Sequence, residues 1–204
     1  MRKFLLLLIS LPSIGFGQST LLVPSQYNNI QNAIDASLNG DTILVSPGIY
    51  NESISFSGKN IVVTSEFIIN QDTSFISNTI IDGTDLPQDI VSINNGENNA
   101  LLYGFSIKNG SFHPAGYSAI LVSENSSAKL EHLIVEDNFS AGQGPGIFIN
   151  IQSNVIIKNS IIRNNISRTD GGGIYIENSF VDIDSSTITE NTCVLSDGSL
   201  TGHG

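Results

Sequence analysis

Five aspartates lie at spacings that could bind a metal ion. Asp182 and Asp184, in VDIDSS, are separated by one residue, so in a strand both side chains point to the same side. Asp82, Asp85 and Asp89 follow one another through the turn-like segment IIDGTDLPQD. Calcium takes about six to eight oxygen ligands, more than Asp182 and Asp184 can supply, so we interpret that pair as part of a solvated charge ladder. Asp82, Asp85 and Asp89 are interpreted as ordinary turn residues. The alternative at both places is a weak Ca2+ site in which water molecules supply the remaining ligands. No cofactor is required.

Side chains that could act as a nucleophile, an acid or a base are few. The chain has three histidines, His113, His132 and His203, and one cysteine, Cys193. General acid–base catalysis needs a positioned partner group, and we identify none for these histidines. Cys193 has no second cysteine for a disulfide and no histidine nearby in sequence to activate its thiol. The sequence therefore predicts a non-catalytic segment.

The glycine-rich stretch TDGGGIYIENS at 169–179 does not have the pattern of a nucleotide-binding loop. A phosphate-binding loop has a Lys and a Ser or Thr after its last glycine and opens a helix. Gly173 is followed instead by the alternating pattern Ile-Tyr-Ile-Glu, which is typical of a strand. The glycines therefore mark a corner of the chain.

The same stretch belongs to an internal repeat. The leading isoleucines of three copies follow one another at equal intervals and are Ile120, Ile147 and Ile174. A second segment follows each isoleucine and ends, at the same interval to within one position, in Asn138, Asn165 and Asn191. A repeat whose period lies between roughly 20 and 50 residues predicts a solenoid, in which each unit buries its apolar face against the next.

The residue pattern within the repeat indicates strands. Segments such as VDID at 181–184 alternate between apolar and polar residues, and they are rich in Ile, Val, Thr and Ser. The Leu/Asn consensus of leucine-rich repeats and the roughly 3.6-residue period of helical repeats are absent. The sequence thus predicts a parallel β-helix whose coils each consist of about three short strands.

Two stretches resemble the right-handed parallel β-helix proteins of the pectin lyase-like superfamily. GGGIYIENSFVDIDSSTITEN is similar to their repeat unit, and IQNAIDASLNGDTILVSPGIYNESISFSGKNIVVTSE is similar to the start of such a domain. The resemblance implies an all-β, right-handed solenoid, but it leaves the function open, because the superfamily includes both polysaccharide-cleaving enzymes and non-catalytic surface proteins. It also implies that an enzyme of this kind would carry calcium-binding carboxylates with a basic residue, or clustered aspartates. The motifs of the superfamily's esterases and hydrolases are not recognisable here.

Stacking the copies in register predicts ladders of equivalent residues about 4.8 Å apart. Three interior ladders are apolar, namely Leu130–Ile157–Ile183, Val135–Ile162–Ile188 and Ile120–Ile147–Ile174. Two outward ladders alternate in charge, namely Glu131–Lys158–Asp184 and Lys108–Glu136–Arg163. Each pair of opposite charges that face one another is favourable by roughly 0.2–1 kcal/mol. A structural ladder of side-chain amides that bond one another is predicted at Asn138, Asn165 and Asn191.

One surface feature is a candidate for carbohydrate binding. Leu121, Phe148 and Tyr175 fall between inward residues in successive coils and so form an outward apolar stripe. Sugars stack on aromatic faces, and the rings of Phe148 and Tyr175, beside Asn and Ser residues, suit that role. Cover by a loop or by a neighbouring domain is the alternative.

The segment 1–17 has the pattern of a secretory signal peptide. Arg2 and Lys3 precede an apolar run that starts at Phe4, and small residues end the segment. The run is too short for a membrane anchor, and no later stretch could span a membrane. We therefore expect a secreted or cell-surface protein.

The rest of the chain divides into a capping segment and the coils. Residues 18–40 hold the one convincing helix, which runs from Pro24 to Gly40 with Asn28 as its N-cap and would cover the first coil. Its apolar side consists of Ile30, Ile34 and Leu38. Residues 41–204 form the coils. Because no C-terminal cap follows Asn191, we expect the N-terminal part of a longer protein with downstream domains.

The formal net charge of −11 restricts the classes of partner. An acidic chain repels nucleic acid and anionic membrane surfaces, so neither is an expected partner. It would also repel polyuronates unless a cation or a local basic cluster intervened.

Two functions fit the sequence. The first is a secreted or cell-surface β-helix module that binds a polysaccharide or a cell-surface glycan, or acts as a rigid adhesin-like spacer. The alternative is the leading part of a polysaccharide lyase or glycoside hydrolase whose active site lies beyond Gly204. The sequence favours the first, since it contains no recognisable catalytic set.

Overall fold

The computed structural model describes residues 18–110, 114 and 116–194, and the backbone of residues 200–203. In these residues the chain winds through stacked coils, and strands of successive coils pair in parallel. Successive side chains of a strand point to opposite sides. One side of each strand therefore lines a single apolar core that runs along the stack, as the β-helix interpretation predicts.

Two sheets contain the longer series of strands. Sheet A has seven strands in the described residues, which are β1 (Thr20–Val23), β2 (Thr42–Val45), β5 (Val62–Ser65), β8 (Ala100–Tyr103), β11 (Ser127–Glu131), β15 (Asn154–Lys158) and β19 (Phe180–Asp184). Sheet B has six in the same part of the chain, which are β3 (Gly48–Tyr50), β6 (Thr79–Asp82), β9 (Ser106–Lys108), β12 (Ile134–Glu136), β16 (Ile161–Arg163) and β20 (Thr187–Thr189).

Two smaller sheets complete the circumference. Sheet C consists of β4 (Ile54–Ser55), β7 (Val91–Ile93), β10 (Ile120–Val122), β14 (Ile147–Ile149) and β18 (Ile174–Ile176). Sheet D consists of β13 (Phe139–Ser140), β17 (Ile166–Ser167), β21 (Thr192–Val194) and β22 (Leu200–His203). Strand β22 runs antiparallel to β21, unlike the other pairs.

Each of the last three coils has four strands instead of the expected three or so. The chain passes from sheet C to A, B and D in turn. The fourth strand arises because a buried asparagine after the sheet B strand turns the chain, and the two residues beyond it then pair with the next coil. Phe139 pairs with Ile166 in this way, and Ser140 with Ser167.

The predicted register of the repeats is confirmed. The three apolar ladders pair as expected along sheets A, B and C. Leu130, Val135 and Ile120 are fully buried, and their partners in the next coil are 0–1% exposed. Burial of apolar surface stabilises a fold by about 25 cal/mol per Å2, so these ladders contribute to stability as part of the single apolar core.

The asparagine ladder is also confirmed, and its polar atoms are bonded between coils. The Asn138 Nδ2 donates to Asn165 Oδ1 at 2.9 Å, and the Asn165 Nδ2 donates to Asn191 Oδ1 at 2.9 Å. The same oxygens accept from the backbone amides of Asn138 and Asn165, and the side-chain amides also donate to carbonyl groups of the preceding coil, such as that of Val135. The three asparagines are 0–1% exposed, so this bonding replaces water.

The charged rows also follow the predicted register. The Arg163 Nη2 lies 2.6 Å from Glu136 Oε2, and the Arg163 Nε donates to the same oxygen at 2.8 Å. Lys108 pairs in register with Glu136, and Asp82 pairs with Lys108, so this row begins one coil earlier than predicted. In the second row, Lys158 and Asp184 are 3.9 Å apart. The sign therefore alternates from Asp82 to Arg163 and from Glu131 to Asp184, whereas the neutral residues Thr189 and Tyr103 adjoin these rows.

The N-terminal helix is shorter than predicted. Helix α1 spans Ile30–Ala36, and its N-cap is Asn29, whose side chain accepts a hydrogen bond of 2.8 Å from the Asn32 amide N–H. The predicted cap, Asn28, lies before this turn. Ser37 ends the helix because its hydroxyl and its amide N–H both donate to the Ile34 carbonyl. Leu38 consequently lies outside the helix and is 54% exposed, whereas Ile30 and Ile34 are buried as expected.

Side chains of the coils hold α1 at both ends. The Glu52 carboxylate accepts from the amide N–H groups of Ile30 and Gln31, both at 2.9 Å. The Lys59 ammonium donates to the carbonyls of Ile34 and Asp35. An acid at the start and a base at the end of a helix both oppose its dipole favourably. These contacts fix the helix against β1, β2 and β4, where it caps the stack.

The segment assigned to the cap, residues 18–40, contains a strand as well as the helix. Strand β1 pairs with β2 along its whole length, so the first strand of the stack precedes α1. Two further short helices, α2 (Phe67–Asn70) and α3 (Ser74–Asn78), follow β5. They have four and five residues, too few for the helical period to be visible in the sequence.

Replacing Asn165 by Leu should lower the free energy of unfolding by about 3 kcal/mol, because buried amide groups of Asn138 and Asn191 and the Val135 carbonyl would lose their partners. Urea unfolding followed by circular dichroism measures this. The control is Asn154→Ala at an exposed position of the same coil, which should change stability by less than about 0.5 kcal/mol. Equal effects of the two substitutions would contradict a stabilising role for the ladder.

Asp41 should make stability depend on pH. Its carboxylate accepts from the Leu38 and Ser19 amide N–H groups, both at 2.8 Å. These bonds, in that order of size, outweigh burial and hold the pKa of Asp41 below its ordinary value of 3.8. The stabilisation is therefore complete above the unfolded-state pKa of about 3.9 and is lost as pH falls through the lowered value.

We expect Asp41→Asn to be less stable than the wild type near neutral pH and to lose less stability on acidification. Urea unfolding between about pH 6 and about pH 2.5 tests this. Asn154→Ala, a substitution of a neutral and exposed side chain, is the control and should lose stability on acidification as the wild type does. An Asp41→Asn curve parallel to that of the wild type would contradict the assignment.

Candidate functional site

The outward face of sheet C carries one continuous row of side chains, here called the sheet C row. In order along the stack it consists of Ser55, Ser92, Leu121, Phe148 and Tyr175. Adjacent strands are about 4.8 Å apart, so the row is about 19 Å long. All five side chains are partly buried. The row is polar at the end near α1 and aromatic at the other end.

At the aromatic end the two rings are in contact. The ring centroids of Phe148 and Tyr175 are 5.5 Å apart and the ring planes lie at 67°, an edge-to-face arrangement. Turns pass close beside them at Gly144 and Gly171, which have φ angles of +57° and +59°. A Cβ atom at these glycines would lie 3.0 and 2.9 Å from the Tyr175 Cβ. The stripe thus lies outward as predicted, and the turns cover it only in part.

A surface cleft of about 350 Å3 lies at the polar end of the row. It is lined by Gln31, Ser53, Ile54, Ser55, Gln88, Asp89, Ser92 and Asn94. All of these except Ile54 are polar, and Ser55 and Ser92 are also members of the sheet C row. The volume is within the range of small-molecule sites, roughly 300–1,000 Å3. The cleft and the aromatic pair are therefore two ends of one surface.

Asp89 is the charged group of the cleft. Burial raises the pKa of the Asp89 carboxyl above its ordinary value, and a hydrogen bond of 2.7 Å from the Ser118 amide N–H to Oδ1 offsets only part of that rise. The Ser53 hydroxyl beside it is buried and has no hydrogen-bond partner in the described part of the chain. The cleft thus offers a carboxylate acceptor to a ligand, whereas the Ser53 hydroxyl lies below its surface.

The helix holds one wall of the cleft in place. The Gln31 side-chain oxygen accepts from the Ser55 amide N–H at 2.7 Å, and its NH2 group donates to the Ser55 carbonyl at 3.3 Å. Gln31 thereby bonds the edge of β4 as a neighbouring strand would. The sequence does not reveal this role of Gln31, because the role depends on how helix α1 lies against β4.

Asp82 and Asp85 lie in the predicted turn. Asp82 Oδ1 accepts from the Thr84 amide at 2.9 Å and from its hydroxyl at 2.6 Å, and Oδ2 accepts from the Asn109 side chain. Burial raises the pKa of Asp82, but these bonds and the charge of Lys108 outweigh it, so the pKa lies below its ordinary value. Asp85 has a φ of 60°, as turn residues do. The turn interpretation accounts for both residues.

Asp182 and Asp184 point outward from β19, as predicted, and both are exposed. Asp184 lies beside Lys158, which agrees with a solvated charge ladder. Among the described residues, no three His, Cys, Asp or Glu side chains come together in a set that could hold a metal ion. The weak Ca2+ site therefore stays a prediction without a structural candidate.

The remaining reactive side chains lie apart from the cleft. His132 is half-buried, because its ring packs against Phe67 and Tyr103, and its ring centroid lies 4.9 Å from each of theirs. Cys193 is a free thiol that pairs in register with Ser167. His113 and the His203 side chain lie outside the described residues.

The predicted signal peptide at 1–17 also lies outside the described residues. Within those that are described, none of the helices has the length and apolar character needed to cross a membrane.

Comparison with known proteins agrees with the architecture. Residues 48–202 match the family described as "Right handed beta helix region". No match is found among curated proteins. Among solved structures, a pectin methylesterase mutant in complex with hexasaccharide IV matches 89% of this chain and 73% of its own, at 14% identity and a TM-score of 0.44. That score is too low to bear on function. The family match covers most of the chain, and together with the parallel coils it shows that the chain belongs to the right-handed β-helix family.

Proposed function

We propose that the sheet C row and its cleft form a binding site for a neutral glycan, in a secreted or cell-surface β-helix module. This proposal is carried by the observation that the polar cleft, with its carboxylate, and the aromatic pair lie on the same outward row of side chains, which is about 19 Å long. A linear chain of sugars lying along the coil axis would contact both ends.

The two ends offer the two kinds of contact that a sugar needs. The apolar faces of sugar rings pack on aromatic side chains, and Phe148 and Tyr175 present partly exposed rings. Sugar hydroxyls donate and accept hydrogen bonds, which Asp89 and the side-chain amides of Gln88 and Asn94 can satisfy. Hydrogen bonds to a charged group are stronger than neutral ones, so Asp89 would orient the ligand.

Charge favours a neutral ligand over a polyuronate. The chain carries a net charge of −11, and the charged group that lines the cleft is itself an acid. A uronic acid would bring a second carboxylate toward Asp89, and like charges in a partly buried site repel.

A second candidate is that the chain is the leading part of a polysaccharide lyase or glycoside hydrolase. The raised pKa of Asp89 favours it, since a general acid must hold its proton toward neutral pH. Glycosidases, however, use two carboxylates about 5–9.5 Å apart, and Asp89 is the one carboxylate among the residues that line the cleft. Binding is therefore the function that the geometry supports better.

Phe148→Ala and Tyr175→Ala should each weaken glycan binding about tenfold, because each removes one ring from the stacking surface. The measurement is isothermal titration calorimetry with hexasaccharides of cellulose, xylan and mannan, alongside oligogalacturonate. Ile156→Ala is the matched control, since it removes an outward apolar side chain from the same coil on sheet A. Binding that is equally reduced by the control, or that favours oligogalacturonate, would overturn the proposal.

Asp89→Asn should weaken binding without lowering stability. Asp89 is partly buried and its carboxyl has a raised pKa, so the ionised form destabilises the fold above that pKa. A neutral amide removes this cost while Oδ1 still accepts from the Ser118 amide N–H. We expect an unchanged or higher melting temperature near neutral pH, together with a loss of affinity of about tenfold. Chromatography of the incubated hexasaccharides shows whether any is cleaved. Cleavage that Asp89→Asn abolishes would favour the second candidate.

A further inference from the structure

The outward side of sheet B combines a charged row with an apolar row. In the charged row acids and bases alternate, and its members are Asp82, Lys108, Glu136 and Arg163. Two positions earlier in the strands, a second outward row consists of Ile49, Ile80, Ser106, Ile134 and Ile161. Residues two apart in a strand point to the same side, so the rows lie next to each other. We call the two rows together the sheet B face.

The apolar row is unusual for a surface. Ile49 is 70% exposed, and Ile80, Ile134 and Ile161 are half-buried although they point away from the core. Ser106 is buried and interrupts the row. The rows follow the side of the stack, so the direction of the side chains, and not the end of a coil, exposes them. Contiguous apolar side chains on a surface, bordered by polar ones, mark an interaction site.

The sheet B face is neutral in an otherwise acidic chain. Its charged row contains two acids and two bases, whereas the whole chain has 19 acids and 8 bases and a net charge of −11. Two copies that approach through their acidic surfaces repel each other. Contact through the sheet B face avoids that repulsion.

The order of the charges makes the sheet B face complementary to itself. From Asp82 to Arg163 the signs are negative, positive, negative and positive, and the reversed order has the opposite sign at each position. A second copy, rotated by 180° about an axis parallel to the strands and between β9 and β12, therefore places its Arg163 against Asp82 and its Glu136 against Lys108. Each contact occurs twice, as two-fold symmetry requires. Copies that run in the same direction would instead place like charges in contact.

We propose that the sheet B face binds a second copy of this chain in an antiparallel dimer with two-fold symmetry. The same rotation packs the apolar rows against each other, with Ile80 on Ile161 of the other copy and Ser106 on Ile134. Arg163 keeps its ion pair of 2.6 Å with Glu136 in its own chain and gains Asp82 of the other copy.

The size of the face predicts a weak dimer. The four strands that hold both rows cover about 14 Å along the stack and about 10 Å along the strands, which is less than a standard interface. The charges therefore set the orientation of the copies more than the affinity. The sheet B face is separate from the sheet C row, so its test does not depend on glycan binding.

Sedimentation equilibrium over a series of protein concentrations tests the proposal. At about 0.15 M salt the general repulsion between acidic chains is screened beyond about 8 Å, whereas charges in contact still interact. We expect a monomer–dimer equilibrium. A protein that remains monomeric up to about 1 mM would overturn the proposal.

Two charge reversals identify the surface and the orientation. Lys108→Glu and Glu136→Lys should each raise the dissociation constant of the dimer at least about tenfold, because each places like charges in contact at two positions. An equimolar mixture of the two variants should form the dimer again, since the mixed pair has opposite charges at all four contacts.

The matched control is Glu131→Lys, which makes the same change of charge in the outward row of sheet A. It should leave the dimer intact, and circular dichroism shows that each variant is folded. Dimers that persist in both single variants, or that the control weakens equally, would assign the contact to another surface and overturn the proposal. A mixture that stays monomeric would overturn the antiparallel arrangement.

Discussion

The whole structure depends on the stacking of equivalent residues about 4.8 Å apart. At this spacing a side chain in the core touches its counterparts in the coils above and below, so each rung must suit its neighbours in shape and polarity. The apolar rungs meet this condition with Ile, Val and Leu. The polar rung meets it with asparagine, whose amide can donate to one coil and accept from the other. This spacing determines the positions of the sheets, the corners and the rows of surface side chains.

The condition fails at the ends of a stack, and the first coil shows how it can be restored without another coil. Helix α1 covers the apolar cross-section with Ile30 and Ile34, which are fully buried. Gln31 supplies the donor and the acceptor that a neighbouring strand would have given to β4. Because Gln31 also lines the cleft, the same residue that closes the stack shapes the candidate binding site.

The parts of the fold that could be predicted are those where the period is regular. From Ile120 onward the nearly constant interval between copies determines which residues align, so the interior ladders, the charged rows and the outward stripe all follow from counting. The fourth strand did not follow, because a strand of two residues has no detectable period. The end of α1 did not follow either, since it is set by Ser37 and by contacts from Lys59 far along the chain.

The candidate site could be predicted only at its aromatic end. Phe148 and Tyr175 lie in the regular coils, whereas the cleft is formed by earlier coils with loops of unequal length. The sequence shows Asp89 as one of three aspartates in a turn. It does not show that Asp89 lies apart from Asp82, because Asp82 ends β6 whereas Asp89 lies just before β7. Its partner Ser118 lies in the following coil, at a distance along the chain that no local pattern reveals.

The asparagine ladder also bears on how this protein can be made. Asn138 and Asn165 each begin an Asn-x-Ser triplet, the acceptor sequence for N-linked sugars in eukaryotic secretion. Oligosaccharide attached to either residue before folding would have to fit where the native side chain is 0–1% exposed, and the coils could not close around it. No sugar is attached to these asparagines when the protein is produced in a host that does not glycosylate the triplets. Replacing the serines at 140 and 167 by alanine removes the acceptor sequences and has the same effect.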